Sequence, residues 1–230
     1  MTGILYLVAT PIGNLSDITL RALETLKNAD LIACEDTRHS KILLNHYGIS
    51  KPLTSFYEQN SFKKIPYIIG ELKKGKNVAV ISEAGTPAIS DPGFVLVGAA
   101  IDENIKVVPL PGPCAAVTAL CGCGLPTDGF VFLGFLPRKP GKIKKIFQRV
   151  IELEKTIIFY ESPYRLRATL EVLSEIIPAD ANIVVARELT KKFEEFIKGK
   201  MDEIAAKLPE KILGEITVLI SPKLKKVTTD

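Results

Sequence analysis

The sequence predicts an α/β protein made of two domains. Over the first 110 residues, short apolar runs alternate with helical patterns, which is typical of a mostly parallel sheet covered by helices on both faces. The second half contains further strands and helices in a less regular order, which favours a mixed sheet. Pro111, Gly112 and Pro113 fix the chain direction between the two halves, as a domain boundary would. We therefore expect domains at 1–110 and 111–222 and a lysine-rich tail at 223–230.

The composition excludes several classes of protein. With 47% hydrophobic residues among 230, the chain can bury a core and is not disordered. No apolar run reaches the roughly 18 residues of a membrane span, and the first residues lack the basic lead and cleavage site of a secretion signal. We therefore expect a soluble, cytoplasmic protein. The net charge of +4 is too small for a protein that coats nucleic acid.

The cysteines and histidines predict no metal site. Cys34, Cys114, Cys121 and Cys123 match no spacing of zinc ligands, and a chain with a full core needs no disulfide. The two histidines are too few for an all-histidine site. We expect four reduced thiols.

In the first half, the predicted strands are short and apolar. Residues 4–9 are nearly all apolar, as expected for a strand that is covered on both faces. The helix after it has leucines at 20, 23 and 26, and Ser16 or Asp17 can cap it. Further strands are expected at 31–34, 52–56, 78–81 and 106–110, with helices after Arg38 up to Gly48, at 58–74 and at 93–103.

In the second half, small residues after the boundary predict a closely packed helix. A basic segment from Arg138 to Lys145 contains Pro and Gly and is expected to begin as a mobile loop at 137–141. Strands are expected at 130–135, 156–160, 183–186, 194–198 and 216–220, and helices at 142–153, 163–177 and 202–208.

The stretch 78–92 is the first indication of a binding site. An apolar strand runs into a polar, rigid loop with Ser82, Glu83, Gly85 and Thr86. Such a loop at the carboxyl end of a strand is where open α/β sheets hold ligands. An ordinary turn with a Ser-Asp-Pro helix start would account for the same residues.

The loops at 11–14 and 111–115 are expected at the same sheet edge. None of the three has the glycine pattern of a dinucleotide or Walker loop, which argues against a polyphosphate. Backbone amides, carbonyls and apolar walls instead suit a zwitterionic ligand with an adenosine-like part.

Six segments also carry a resemblance to a known family: 7–15, 35–38, 82–87, 109–116, 159–162 and 186–191. In this order they resemble the ribosomal RNA small subunit methyltransferase I family of the tetrapyrrole methylase superfamily, whose members 2′-O-methylate a decoding-region cytidine of 16S rRNA. The resemblance implies two α/β domains of the tetrapyrrole methylase type, with S-adenosyl-L-methionine in the interdomain cleft and a homodimer as the assembly. Its partner would be 16S rRNA or the small ribosomal subunit.

The cofactor residues follow from the resemblance. Carried over by motif, they are Pro11, Gly85, Thr86, Ile89, Cys114, Ala115, Tyr160 or Glu161, and Leu189. Glu83 joins them as the acid of the second loop, where the ribosomal RNA branch more often has Asp. In the first loop, tetrapyrrole-methylating relatives carry Gly-x-Gly-x-Gly-Asp where this chain has Thr-Pro-Ile-Gly-Asn. In the second loop, they carry Gly-Asp-Pro where this chain has Gly-Thr-Pro. These differences imply that this chain contacts the cofactor differently.

Charged residues at strand ends are the candidates for catalysis. A sugar hydroxyl is a weak nucleophile until its proton begins to leave, so a positioned base or a nearby cation would help. We expect that role among Glu35, Asp36, Arg187, Glu188 and Lys191. An ion pair of Arg187 with an acid across the domain interface would account for the same charges.

RNA is expected to bind a cluster of cations. These are Arg38, Arg138, Lys139, Lys142, Lys144 and Lys145. Lysine and arginine position phosphates, while sequence choice would come from splayed-out nucleotides stacked on aromatic side chains. Phe56, Tyr57 and Tyr164 could stack bases, although core packing would account for each.

Two other functions stay open on the sequence. A methylase of a tetrapyrrole or other small molecule would use the same loops. A non-catalytic sensor of an adenosine ligand would need those loops but not the charged strand ends at 35–38 and 187–191.

Overall fold

The computed structural model describes residues 1–91 and 93–222. The chain divides into two compact units between Cys114 and Ala115. The predicted tail at 223–230 lies outside the described residues. Within the described ranges, no helix combines the length and the apolar character needed to cross a membrane.

The first unit is built on a parallel sheet, as predicted. Its strand order is β3-β2-β4-β1-β5, and every neighbouring pair is parallel. The edge strand β5 contains Pro109. Proline has no amide hydrogen to donate to a neighbouring strand, so it is tolerated in an edge strand, which has a neighbour on one side only. The strands are β1 (Ile4–Val8), β2 (Leu31–Cys34), β3 (Leu53–Ser55), β4 (Val78–Ile81) and β5 (Lys106–Leu110).

Helices cover both faces of this sheet. Alternate residues of β4 enter two different cores: Val78 and Val80 pack in one, Ala79 and Ile81 in the other. The first helix is capped by Thr19, whose hydroxyl accepts from the amide of Ala22 at 3.1 Å, so the predicted caps Ser16 and Asp17 were wrong. They lie instead in a short 3-10 turn that precedes Thr19. The helices are α1 (Leu20–Asn28), α2 (Thr37–His46), α3 (Ser61–Lys73) and α4 (Gly93–Asp102).

The second unit contains the predicted mixed sheet. Its strand order is β6-β7-β10-β8-β9, in which β6 and β7 are parallel and the other pairs antiparallel. The core includes Phe147 and Phe159, whose rings meet edge to face at 5.8 Å. The strands are β6 (Phe130–Phe135), β7 (Thr156–Glu161), β8 (Asn182–Arg187), β9 (Glu195–Lys200) and β10 (Ile216–Ser221), and the helices are α5 (Ala115–Cys123), α6 (Pro140–Val150), α7 (Leu166–Ser174) and α8 (Ile204–Lys207).

One predicted segment has a different structure. The loop expected at 137–141 is shorter than predicted, and most of the basic segment 138–145 is helical, because α6 already begins at Pro140. Proline is favoured in the first turn of a helix, where its missing amide hydrogen costs nothing. Ile143 and Phe147, four residues apart, are buried and attach the helix to the core. Only Arg138 and Lys139 of the cations precede the helix.

Candidate functional site

Four loops of the first unit meet at one edge of its sheet. Because β2, β4, β1 and β5 are adjacent and parallel, their carboxyl ends share that edge. The loops that follow these strands, at 10–14, 35–36, 82–91 and 111–114, are called here the first edge. Pro11, Glu35, Asp36, Glu83, Gly85, Thr86, Ile89 and Cys114, all predicted site residues, lie on it.

Hydrogen bonds lock three of these loops together. The amides and carbonyls of Thr10 and Gly85 exchange two bonds, of 2.9 and 3.0 Å. The Thr10 hydroxyl donates to the carbonyl of Ser82 at 3.2 Å, and the Ser82 hydroxyl donates to the carbonyl of Gly85 at 2.9 Å. The Thr86 hydroxyl donates to the carbonyl of Pro113 at 3.0 Å. These three loops of the first edge therefore form one rigid backbone surface.

Gly85 and Gly112 of this surface leave little room for a side chain. Gly85 has a φ of +82°, and a Cβ there would lie 3.3 Å from Cγ2 of Ile12. A Cβ on Gly112 would lie 2.6 Å from the Cβ of Ala9, closer than two carbons can approach. Ala88 and Ser90 also adopt left-handed backbone, with φ of 69° and 58°. Strained backbone of this kind persists where the surroundings enforce it, and it is common at ligand sites.

The first edge retains backbone donors for a ligand. The amides of Ala84, Thr86 and Cys114 donate to no group within the part of the chain that the structure describes. Unpaired amides in a concave turn attract a carboxylate. Ile89, with 46% of its surface exposed, adds an apolar wall. The donor set therefore fits the zwitterionic ligand with an apolar part that the sequence suggests.

Among the acids of the first edge, Glu35 has a raised pKa. Glu35 is an exposed residue, but partial desolvation of its carboxyl raises the pKa, and the charges of Glu83 and Asp91 raise that pKa further. Asp91 also accepts from the amide of Gly93 at 2.8 Å, as a helix-capping residue does. Asp91 was not predicted as a site residue, because its Ser-Asp-Pro context indicates only a helix start. A carboxylate with a raised pKa is a better proton acceptor, which suits Glu35 for general-base chemistry.

Asp36 has a structural role that the sequence did not predict. It caps α2, and its Oδ1 accepts from the amide of Arg38 at 2.7 Å. The amide and then the guanidinium of Arg38 lower the pKa of Asp36. Its side chain is therefore occupied by the helix that follows β2.

Loops of the second unit meet at one edge of the mixed sheet. β6, β7 and β8 point the same way, so their carboxyl ends lie beside the amino ends of β10 and β9. The loops at 136–139, 162–165, 187–194 and 213–215 are called here the second edge. It holds Arg187, Glu188, Leu189 and Lys191 from the predicted site.

Ion pairs join the charged residues of the second edge. Nε of Arg187 donates to Glu195 at 2.6 Å, and its Nη1 donates to the carbonyl of Leu213 at 3.2 Å. Nζ of Lys191 contacts Glu188 at 3.1 Å and Glu215 at 3.0 Å. Arg187 therefore pairs with a cross-strand neighbour of its own sheet.

The same contacts set the charges of Lys191 and Glu188. Burial alone lowers the pKa of Lys191, but bonds to Glu215 and Glu188 outweigh it, so the pKa lies above its usual value. Burial alone raises the pKa of Glu188, but bonds from Lys191 and the amide of Glu215 outweigh it, and the pKa is lowered. Lys191 thus stays cationic and cannot serve as a base near neutral pH.

The loop after β8 is strained. Glu188 and Thr190 adopt left-handed backbone, with φ of 52° and 65°. Oγ1 of Thr190 is buried and, within the described residues, has no hydrogen-bond partner. A Cβ on Gly214 would lie 2.4 Å from Oε1 of Glu188, so the next loop must carry glycine there. Leu189, between the two strained residues, is buried.

Of Tyr160 and Glu161, only Tyr160 has an exposed surface. The Tyr160 hydroxyl accepts from the amide of Ala116, next to the predicted Ala115, at 3.3 Å. The Glu161 side chain is fully buried, and its two oxygens accept from the Ser162 amide and the Thr169 hydroxyl, each at 2.7 Å. Its role is to hold the start of α7.

The predicted RNA-binding cations differ in their surroundings. Lys144 pairs with Glu175, and Arg38 pairs with Asp36 at 3.4 Å. Within the described ranges the other four form no ion pair. These are Arg138, Lys139, Lys142 and Lys145. Cations at the amino end of α6 oppose its dipole, so they do not serve the stability of that helix.

The thiols form no disulfide, as predicted. All four cysteines are free, and Cys34 and Cys123 are buried. Across the described residues, no group of three His, Cys, Asp or Glu side chains could hold a metal ion.

Comparison with known proteins decides the family. The family model described as Tetrapyrrole (Corrin/Porphyrin) Methylases matches residues 4–205. A protein from Haemophilus influenzae named Ribosomal RNA small subunit methyltransferase I is 47% identical over 100% of this chain and 82% of its own length. The chain belongs to the ribosomal RNA small subunit methyltransferase I family. It is therefore a methyltransferase, as the resemblance implied.

Other relatives agree with this assignment, and a solved structure shares the fold. The relative of the same name from Mesorhizobium japonicum is 50% identical, over 95% of this chain and 75% of its own. The relative of the same name from Hydrogenobaculum is 48% identical, over 94% of this chain and 95% of its own length. A uroporphyrin-III C-methyltransferase from Thermus thermophilus, complexed with S-adenosylhomocysteine, has a TM-score of 0.63 at 16% identity and covers 94% of this chain and 97% of its own. This last likeness confirms the tetrapyrrole methylase fold.

Proposed function

We propose that the protein transfers a methyl group from S-adenosyl-L-methionine to small-subunit ribosomal RNA, at the ribose 2′-oxygen of a decoding-region cytidine of 16S rRNA. The observation that carries the proposal is the near-half identity, over the whole chain, to relatives named ribosomal RNA small subunit methyltransferase I. The cytidine, its 2′-oxygen and a homodimeric assembly come from the family resemblance, and a cytoplasmic location comes from the composition of the chain.

The residues of the first edge fit the cofactor. The amides of Ala84, Thr86 and Cys114 offer donors to a carboxylate, and Ile89 offers an apolar surface. We propose that Pro11, Glu83 and Gly85 complete this part of the site, and that Ala115, Tyr160 and Leu189 of the second unit also contact the cofactor. Glu161 is left out, because its oxygens are used inside the second unit.

Methyl transfer to a hydroxyl requires two contributions from the residues of this chain. S-adenosylmethionine, when bound, supplies an electrophilic methyl group, and the attacking oxygen must lie in line with it. The hydroxyl proton must also leave. We assign the role of proton acceptor to Glu35. Its raised pKa makes it a stronger base than the other carboxylates at the strand ends. Lys191 stays cationic, and together with Arg187 it would orient or stabilise the oxygen and its neighbouring phosphates.

One assay tests the proposal. The purified protein is incubated with methyl-labelled S-adenosylmethionine and, separately, undermethylated small subunits, naked 16S rRNA and a porphyrinoid. We expect label in ribosomal RNA, and nuclease digestion should place it on the ribose of a cytidine. Label on a base would remove the 2′-oxygen from the proposal. Label in the porphyrinoid alone would favour the tetrapyrrole methylase, and binding without transfer would favour the sensor.

A further inference from the structure

We infer that the second edge is a stacking surface for unpaired ribosomal RNA, with Tyr164 and Phe193 as the side chains on which bases stack. The inference rests on the proposed function, because it assigns the RNA of that reaction to particular residues. Tyr164 follows β7 and Phe193 follows β8, so both stand at the carboxyl end of the mixed sheet.

Both rings are open to solvent. Tyr164 is 90% exposed and Phe193 is 64% exposed. Phe135, at the end of β6, is 65% exposed and makes a ring contact with Tyr160 at 5.4 Å between centroids. Neither Tyr164 nor Phe193 belongs to the hydrophobic core of the second unit. Core packing therefore does not account for these aromatics, whereas a base-stacking role requires that their faces be exposed.

Unpaired cations accompany the rings. Arg138, Lys139 and Lys192 form no ion pair within the described residues, and Nζ of Lys192 lies 5.5 Å from the centre of the Phe193 ring. The acids nearby are engaged: Glu194 accepts from the amide of Thr190 at 2.6 Å, and Glu195 pairs with Arg187. The second edge thus offers free positive charge beside aromatic faces, the combination that binds single-stranded nucleic acid.

A buried ion pair fixes the shape of this surface. Arg165, one residue after Tyr164, lies 3.4 Å from the buried Glu161. Its guanidinium donates to the carbonyls of Leu136 and Pro137 at 3.0 to 3.3 Å, which ties down the loop that carries Arg138 and Lys139. Strand ends from β6 to β8 span about 15 Å at the usual spacing between strands, room for a few nucleotides. The cations and the rings are therefore held on neighbouring loops of one rigid edge.

Alanine and aromatic replacements of the two rings test the inference. We compare Tyr164→Ala and Phe193→Ala with the aromatic replacements Tyr164→Phe and Phe193→Tyr. Because a stacked base contributes about 1–3 kcal/mol, each alanine variant should raise KM for the RNA substrate about fivefold or more. The aromatic replacements should keep the wild-type KM. Calorimetry should give unchanged affinity for S-adenosylmethionine in all of them.

Phe130→Ala is the matched control. This phenylalanine is 44% exposed and lies at the opposite, amino end of β6. Its removal should leave KM for RNA unchanged. Alanine variants with wild-type KM, or aromatic replacements as impaired as alanine, would overturn the inference. So would a loss of cofactor affinity, which would place the rings in the cofactor site.

A binding measurement separates this inference from the proposed function. Fluorescence anisotropy with a labelled single-stranded oligoribonucleotide needs no methyl transfer. If the wild-type protein fails to methylate RNA yet binds the oligonucleotide through Tyr164 and Phe193, the proposed reaction fails and the stacking surface stands. If it methylates RNA and the alanine variants bind the oligonucleotide normally, the stacking surface fails alone.

Discussion

At the scale of single residues, Glu35 is the predicted catalytic acid whose pKa is raised. Its carboxyl is disfavoured as an anion by partial desolvation and by the charges of Glu83 and Asp91. A group kept in a state that costs folding energy is commonly kept for function, and the raised pKa brings this acid closer to the pH at which enzymes work. Asp36, its neighbour, is instead occupied as a helix cap.

Replacement of Glu35 by Gln should therefore reduce kcat by about a hundredfold or more, the usual contribution of a general base. The variant should retain its affinity for S-adenosylmethionine. It should also unfold at a higher temperature than the wild type at neutral pH. The raised pKa means that the folded state binds a proton more tightly than the unfolded state, so ionised Glu35 destabilises the fold above that pKa. The gain should vanish as pH falls below the unfolded pKa.

Asp91→Asn is the companion variant, because asparagine keeps the oxygen that accepts from the amide of Gly93. Loss of its charge lowers the pKa of Glu35. The acid limb of the pH profile of kcat/KM should therefore move to lower pH. An unmoved limb, or Glu35→Gln with wild-type kcat, would show that another group accepts the proton.

At the scale of elements, the loop between β4 and α4 determines the shape of the first edge. It reaches the loop after β1 through Thr10 and the loop after β5 through Pro113. Gly85 is at the centre of these contacts, with a positive φ and with Ile12 close to where a side chain would begin. The element is therefore rigid because of its connections to two other loops.

Gly85→Ala should disrupt this element. The left-handed backbone costs an L-residue about 1–2 kcal/mol, and the added methyl must displace Ile12 or the loop itself. We expect a lower melting temperature and a loss of affinity for S-adenosylmethionine at temperatures where the protein is still folded. Gly98→Ala is the control, since a Cβ there meets nothing within 4 Å and alanine favours the helix α4. Equal cofactor affinity in Gly85→Ala and wild type would place the cofactor elsewhere.

The sequence predicted the elements better than the contacts between them. Apolar runs and helix periods depend on local chemistry, so β1 to β5 were found, with small errors in their limits. The pairing of Thr10 with Gly85 and the approach of Asp91 to Glu35 depend on the order of strands, which no local pattern contains. The helix expected at 142–153 begins two residues earlier, at Pro140, because proline is favoured in the first turn of a helix.

At the scale of the whole molecule, the small net charge conceals an uneven distribution. Many surface cations are paired with acids, as Lys144 is with Glu175. Arg138 and Lys139 are not paired within the described ranges, and they lie on the second edge beside exposed aromatics. Free cations, more than the sum of charges, determine how strongly phosphates are held, because each phosphate contact releases counterions.

The salt dependence of RNA binding should therefore separate free from paired cations. For the wild type, the logarithm of the RNA affinity should fall linearly with the logarithm of salt concentration. The Arg138→Ala and Lys139→Ala variants should each reduce the slope by about one, because each removes one phosphate contact. Lys144→Ala should leave the slope unchanged, since its ammonium is already neutralised by Glu175. If all three variants changed the slope equally, ion pairing in the free protein would not determine which cations contact RNA. If none of them changed the slope, the phosphates would be bound by other residues.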